Sequence, residues 1–192
     1  MGLNMDFREL PRHHFKTVLC DPSWQFAVRS KKGEGRSASQ HYQTMSLADH
    51  AAIPVRDVCD VDCWLFMWAI STKLDSAIWL MREWGFTYSG SAFCWVKKNK
   101  SGEGFFTGMG YTTRKCVEMC LLGKRGNPIR LARDVKELII APRREHSRKP
   151  SEIYSRIERF CPGPRLDMFS RERRPGWTAF GDEADKFQEA AE

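Results

Sequence analysis

The run DCWLFMWA, residues 62–69, limits the fold more than any other stretch of the chain. Its one charge is Asp62, at the start, so neither face of a strand built from it could be left wet. Such continuous apolar strands are buried on both faces, the situation of a parallel or mostly parallel α/β sheet. FKTVLC (15–20) reads the same way. Further strands are expected at FTYSGSAFCWVK (86–97), VEMCLLG (117–123), KELIIAP (136–142), RLDMFS (165–170) and WTAFG (177–181).

Helical signals lie between the strands. Leu74, Ala77, Ile78, Met81 and Trp84 fall at helical spacing, and Gly85 is placed to terminate that helix. Ser46 caps a short helix that stops near Pro54. A further helix starts at Pro150, with Ile153, Tyr154, Ile157 and Phe160 on its apolar face, and PGP at 162–164 ends it. Strands thus alternate with helices or long crossovers. A chain of 192 residues with no internal repeat is expected to form one domain, 1–192. Two long polar, glycine-rich stretches, 25–45 and 98–115, lack periodicity and read as functional loops.

The net charge is +7 with a pI near 9.1. The basic residues gather in KKNK (97–100), RREHSRK (143–149) and RERR (171–174), all read as loops, which suits a polyanionic partner such as nucleic acid. No apolar run reaches the roughly 18 residues of a spanning helix, so no membrane is expected. The N-terminal stretch has no apolar core of a secretion signal, and a cytoplasmic location is expected. The seven cysteines, an odd count, read as reduced core thiols. Cys116 and Cys120 fall on a strand rather than in a zinc knuckle, and no metal site is expected.

In open α/β sheets, ligands bind beyond the carboxyl ends of the strands. Asp21-Pro22-Ser23-Trp24 sits at one such end. One reading is a strand-terminating turn, since Asp and Pro both favour turns. The other is a pocket for a flat base with an exocyclic amine. That nitrogen is a poor nucleophile because its lone pair is delocalised into the ring. Two acceptors on its N–H groups, the Asp21 carboxylate and the Pro22 carbonyl, would draw it toward a tetrahedral geometry. Trp24 would offer a face for stacking, and the base would have to leave its helix or be single-stranded.

The tetrapeptide resembles the [DNS]-P-P-[YFW] motif of amino-methyltransferases. From about residue 15 to 183 the chain is similar to the MT-A70-like family of N6-adenine methyltransferases, especially its short bacterial and phage members. The likeness runs through GEGRSASQHYQTMS, CWLFMW, GFTYSGSAFCWVK, GMGYTTRKCVEMCLLGKRGNP, the long run APRREHSRKPSEIYSRIERFCPGPRLDMFSRERRPGW, and FGDE.

The resemblance implies a seven-stranded Rossmann-like sheet with helices on both faces. Its motif order is circularly permuted, with the catalytic tetrapeptide early and the cofactor segment late. It also implies S-adenosylmethionine as cofactor and methyl transfer to the N6 amine of adenine in DNA. The same reaction on RNA, or a weakly catalytic nucleic-acid-binding relative, is the alternative; cytosine-N4 chemistry is disfavoured by Asp21. By the same resemblance Asp21, Pro22, Ser23 and Trp24 are catalytic. Asp21, Lys149, Phe169, Ser170, Arg171, Arg173, Asp182 and Glu183 are implied to hold the cofactor, with Lys149 on its carboxylate and Arg173 at its ribose. Tyr42, Trp68, Trp95 and Lys97 are implied near the substrate, strand core being the other reading of both tryptophans. His146 is read as orienting the Lys149 loop, with acid–base work as the alternative.

Two departures stand out. Ser23 replaces the family's second proline, which leaves both acceptors and the aromatic in place but a less rigid turn. Gly181-Asp182-Glu183 replaces the usual Gly-Asn-Glu or Gly-Asn-Gln, so an amide donor is missing. With no separate recognition domain, target choice is expected from loops 25–45 and 98–115 or from a partner. Monomer and homodimer both remain open.

Overall fold

The computed structural model describes residues 6–24, 45–108, 110, 112–145 and 148–187. Its strands are β1 (Phe15–Cys20), β2 (Cys59–Ala69), β3 (Thr87–Lys98), β4 (Val117–Arg125), β5 (Leu138–Pro142), β6 (Arg165–Met168) and β7 (Thr178–Phe180). Its α-helices are α1 (Leu47–Ala52), α2 (Val55–Val58), α3 (Leu74–Glu83) and α4 (Glu152–Phe160), and a 3-10 turn covers Phe7–Glu9. The seven strands form one sheet in the order β5-β3-β4-β2-β1-β6-β7. The β1–β2, β1–β6, β6–β7 and β3–β5 pairs are parallel, while β4 runs against both β2 and β3. The sheet is therefore mostly parallel, with β4 alone reversed.

The unbroken apolar runs are explained by two separate cores. From β2, Leu65, Met67 and Ala69 join Ala77, Leu80 and Met81 of α3 in one cluster. The intervening Trp64, Phe66 and Trp68 join Ile153 and Ile157 of α4 in the other. β1 divides likewise, Val18 and Cys20 to the first and Leu19 to the second. Side chains alternate across a strand, so α3 and α4 cover opposite faces of the sheet.

Local signals act as their chemistry demands. Ser46 and Asp49 form a reciprocal capping box at the start of α1. Gly85 takes φ +80° after α3. Its N–H bonds the Arg82 carbonyl and the Phe86 N–H bonds the Met81 carbonyl, both at 2.9 Å, a Schellman stop. Regular hydrogen bonding in α4 begins at Glu152, two residues later than Pro150, although Ser151 already has helical dihedrals. β2 begins at Cys59 rather than 62 because Phe15 pairs with Cys59. The 98–115 stretch is not structureless. It continues the β3–β4 hairpin, with Lys98 bridged to Phe105 and the Phe106 N–H bonded to the Lys97 carbonyl at 2.8 Å. Stretch 25–44 lies outside the described residues.

The two-core arrangement predicts unequal costs for two aromatic truncations. Phe66→Ala, at a fully buried β2 position, should cost about 3–5 kcal/mol in urea denaturation. Trp79→Ala, on the exposed side of α3, should cost about 0.5 kcal/mol. Equal losses would mean that Phe66 does not belong to a packed face.

Candidate active site

Strand direction gathers the polar residues at one edge. Asp21 follows β1, Trp68 is the last residue but one of β2, Lys97 ends β3 with Lys98, and Phe169–Arg171 follow β6. β4 runs the other way, so its second residue, Glu118, reaches the same edge. Lys149 lies just before α4. A cleft there is lined by Asp21, Trp68, Lys149, Asp167, Phe169 and Arg171, among others.

Lys149 is the hub. Its Nζ lies 2.5 Å from Asp21 Oδ2 and 3.4 Å from Glu118 Oε2. It also sits 5.5 Å from the centre of the Trp68 ring. Glu118 in turn pairs with Lys97, whose Nζ is 4.9 Å from the Trp95 ring centre. Burial pushes the Glu118 carboxyl up, but Lys149 and Lys97 together hold it below its ordinary value. For Asp21 the balance is reversed. Burial raises its carboxyl more than Lys149 lowers it, and nearby Glu118 adds to the rise. Asp21 is thus the more readily protonated of the two carboxylates that share this lysine.

The tetrapeptide itself is a tight turn. The Trp24 N–H bonds the Pro22 carbonyl at 2.8 Å. A carbonyl oxygen has two lone pairs, so the Pro22 carbonyl retains a second acceptor direction. Trp24 differs from the expected open stacking face. It is 6% exposed, its indole N–H bonds the Trp68 carbonyl at 3.3 Å, and its ring packs 5.8 Å from that of His50. In this arrangement Trp24 anchors the turn to β2 rather than presenting an open face. Ser23 accepts the Met45 N–H on its carbonyl at 3.3 Å.

The turn after β6 comes against the end of β7. Phe169 has φ +60°, unusual for a non-glycine residue. The Ser170 N–H bonds the Phe180 carbonyl at 3.2 Å. A Cβ at Gly181 would meet Ser170 N and O at 2.7 Å, so only glycine fits that approach. Arg171 bonds Glu183 at 2.8 Å, joining two segments expected at the cofactor. Arg173 instead pairs with Asp185 at 2.6 Å and is 66% exposed, outside the cleft lining. Asp182, between Gly181 and Glu183, is exposed. Trp68 and Trp95 are both buried in the α4-side core, and Trp68 also lines the cleft. Tyr42 and His146 lie outside the described residues.

Several residues of this edge went unread in the sequence. Glu118 in VEMCLLG and Asp167 in RLDMFS are lone carboxylates inside apolar strands, and a buried acid without a stated partner is itself a signal. Arg148 and Glu172 form a further pair at 2.6 Å, with Arg174 2.5 Å from the other Glu172 oxygen. Their loops gave no periodicity by which to place them. Cys116 and Cys120 sit immediately before and within β4, and no cluster of three or more His, Cys, Asp or Glu suited to a metal ion occurs among the described residues.

The strand order, the strand-end cleft and the late turn after β6 define a Rossmann-like methyltransferase fold. The sequence pattern of the MT-A70 family matches residues 15–183, and the chain belongs to that family. It is 29% identical to a type II methyltransferase, M.MunI, of Mycoplasma, over 91% of this chain and 80% of that protein. It is 31% identical to an N(6)-adenosine-methyltransferase MT-A70-like protein of Drosophila melanogaster, over 89% of this chain and 27% of that protein. Against the human N(6)-adenosine-methyltransferase catalytic subunit METTL3, identity is 28% over 89% of this chain and 28% of that protein. The chain thus spans only about a quarter of the animal relatives.

Glu118 offers a direct check on the charge hub. Glu118→Ala leaves two mostly buried lysines short of a partner and should cost about 2–3 kcal/mol. A carboxyl held low in the folded state contributes stability that is present above the unfolded value near ~4.3. That contribution is lost as pH falls through the folded value. Denaturation of wild type and Glu118→Gln at several pH values should therefore converge in acid. Curves separated by the same interval at every pH would contradict the pairing.

Proposed function

We propose that this chain transfers a methyl group from S-adenosylmethionine to the N6 amine of adenine in DNA. The observation that carries the reading is the carboxylate of Asp21 at the end of β1, paired with Lys149 and followed by the Pro22 carbonyl.

The cleft residues fit the cofactor. Lys149 suits its carboxylate, the Phe169–Arg171 turn with Gly181 behind it offers a close backbone approach, and Arg171 with Glu183 offers polar partners. When bound, the cofactor supplies an electrophilic methyl carbon on its sulfonium. Asp21 and the free lone pair of Pro22 accept the two amine hydrogens of the target base and direct the nitrogen lone pair outward. Trp24 holds that turn in register with β2. Trp68 and Lys97 form the wall on the substrate side, and Trp95 supports it from the core.

A basic rim favours a polyanion. Lys100, Arg114 and Arg143 are exposed at this edge. Arg143 also lies 4.1 Å over the Phe106 ring of the hairpin. Target choice falls to the stretches 25–45 and 98–115, the second of which extends the β3–β4 hairpin. DNA is favoured by the likeness along most of a type II methyltransferase. The likeness to N(6)-adenosine-methyltransferases supports the N6 position and keeps RNA as the alternative substrate. No described helix is long and apolar enough to cross a membrane, and a cytoplasmic setting is in keeping with this substrate.

The test is transfer of labelled methyl to single-stranded DNA, duplex DNA and RNA. N6-methyladenine in DNA is the expected product; label confined to RNA would replace the substrate, and no label on any of them would reject the reaction. Asp21→Ala should lower turnover at least about 100-fold. Turnover needs ionised Asp21, whose carboxyl is raised by burial. The rate should therefore fall on the acid side at a pH above the ordinary carboxylate value.

A further inference from the structure

Phe105 has no role in the reading above, yet it is 60% exposed on a well-ordered piece of backbone. Both polar groups of Lys97 face the β4 side of β3. Its N–H bonds the Cys116 carbonyl and its carbonyl accepts the Phe106 N–H, each at 2.8 Å. Residues 104–106 therefore continue the β4 column outward, beyond Cys116, at the edge that holds Asp21. β4 lies two strand positions from β1, a lateral separation of roughly 10 Å at the usual strand spacing. The turn before Phe105 is closed twice. The Asn99 N–H bonds the Gly104 carbonyl at 3.2 Å, and the Asn99 side-chain amide donates to the Glu103 carbonyl at 2.9 Å. Phe106 is half-buried with Arg143 over its ring, whereas no described ring or cation covers Phe105.

Phe105 is bridged to Lys98 and shares its face of the ribbon. The stretch 98–115 carries Lys98, Lys100, Arg114 and Lys115 against one carboxylate, Glu103. An exposed ring among cations suits a polyanion that also offers flat apolar faces, which is to say stacked bases. An adenine that reaches Asp21 from a duplex leaves a gap in its stack, and unstacking is costly unless a side chain fills the place. We propose that Phe105 is a wedge that enters the duplex where the target adenine has left, while the cations beside it hold the flanking phosphates. Phe105 is thus a positioning residue, and duplex DNA is the substrate it serves. This inference rests on the reading that the chain methylates adenine. The rival occupant is a second copy of the chain, because Leu138 and Ile140 of β5 are exposed on the same face.

The test compares wild type and Phe105→Ala on one methylated site, mapped with the wild type. The site is offered as a single strand, as a matched duplex, and as a duplex in which the target adenine faces an abasic position. Phe105→Ala should lower kcat/KM on the matched duplex about 10- to 100-fold. It should leave the single strand unchanged and regain most of the loss on the abasic duplex, whose target is already unpaired. Should the alanine variant fold poorly, Phe105→Thr, a better strand former, takes its place. An equal loss on all three substrates, or no loss on the matched duplex, would overturn the wedge. So would a free protein whose sedimentation shifts from dimer to monomer on Phe105→Ala, which would make this face a contact between copies. A wild type active on single strands alone would overturn the wedge and leave methyl transfer standing. A wild type that methylates nothing would reject the reaction itself, and this inference with it.

Discussion

The ion pair between Asp21 and Lys149 joins residues 128 positions apart in the chain. One belongs to the first strand and the other to the segment that opens the last helix. Their meeting at 2.5 Å requires β1 to lie centrally in the sheet, flanked by β2 and β6, with α4 packed over the face that carries Leu19. Asp21 of the early tetrapeptide and the late turn after β6 thereby share one cleft. Permuted motif order has no cost in such a sheet, because function depends on which strand ends are neighbours and not on which strand comes first.

Charge at this edge is arranged as alternating signs: Asp21, Lys149, Glu118, Lys97. Each member is partly or mostly withdrawn from water, where a lone ion would be costly and a paired one is tolerated. The pairing fixes long, flexible lysines that would otherwise sample many rotamers, and so positions them before any ligand arrives. Asp21 stands at one end of this series, where burial raises its carboxyl despite the pull of Lys149 and, more weakly, of Arg171.

Much of the fold was legible because burial on both faces writes itself into sequence. DCWLFMWA and FKTVLC have no polar alternation, and each strand indeed feeds two cores. Ser46 and Gly85 were readable because capping and left-handed backbone depend on one residue's chemistry. What sequence did not reveal was pairing. Nothing local in VEMCLLG tells that Glu118 faces two lysines, since one comes from β3 and the other from a loop thirty-one positions on, as the numbers of Glu118 and Lys149 show. Trp24 was the reverse case: its aromatic character suggested a stacking surface, while its place beside β2 and His50 makes it a buried anchor. The reversed direction of β4, invisible in composition, is what carries Glu118 to the edge that holds Asp21 and Lys149.

The most direct measurement is a crystal structure with S-adenosylhomocysteine and an oligonucleotide whose target adenine is bound. The account predicts the adenine N6 within about 3.2 Å of both the Asp21 carboxylate and the Pro22 carbonyl, with Lys149 on the cofactor's carboxylate. An adenine amine directed away from Asp21, or a cofactor seated elsewhere than in this cleft, would contradict it.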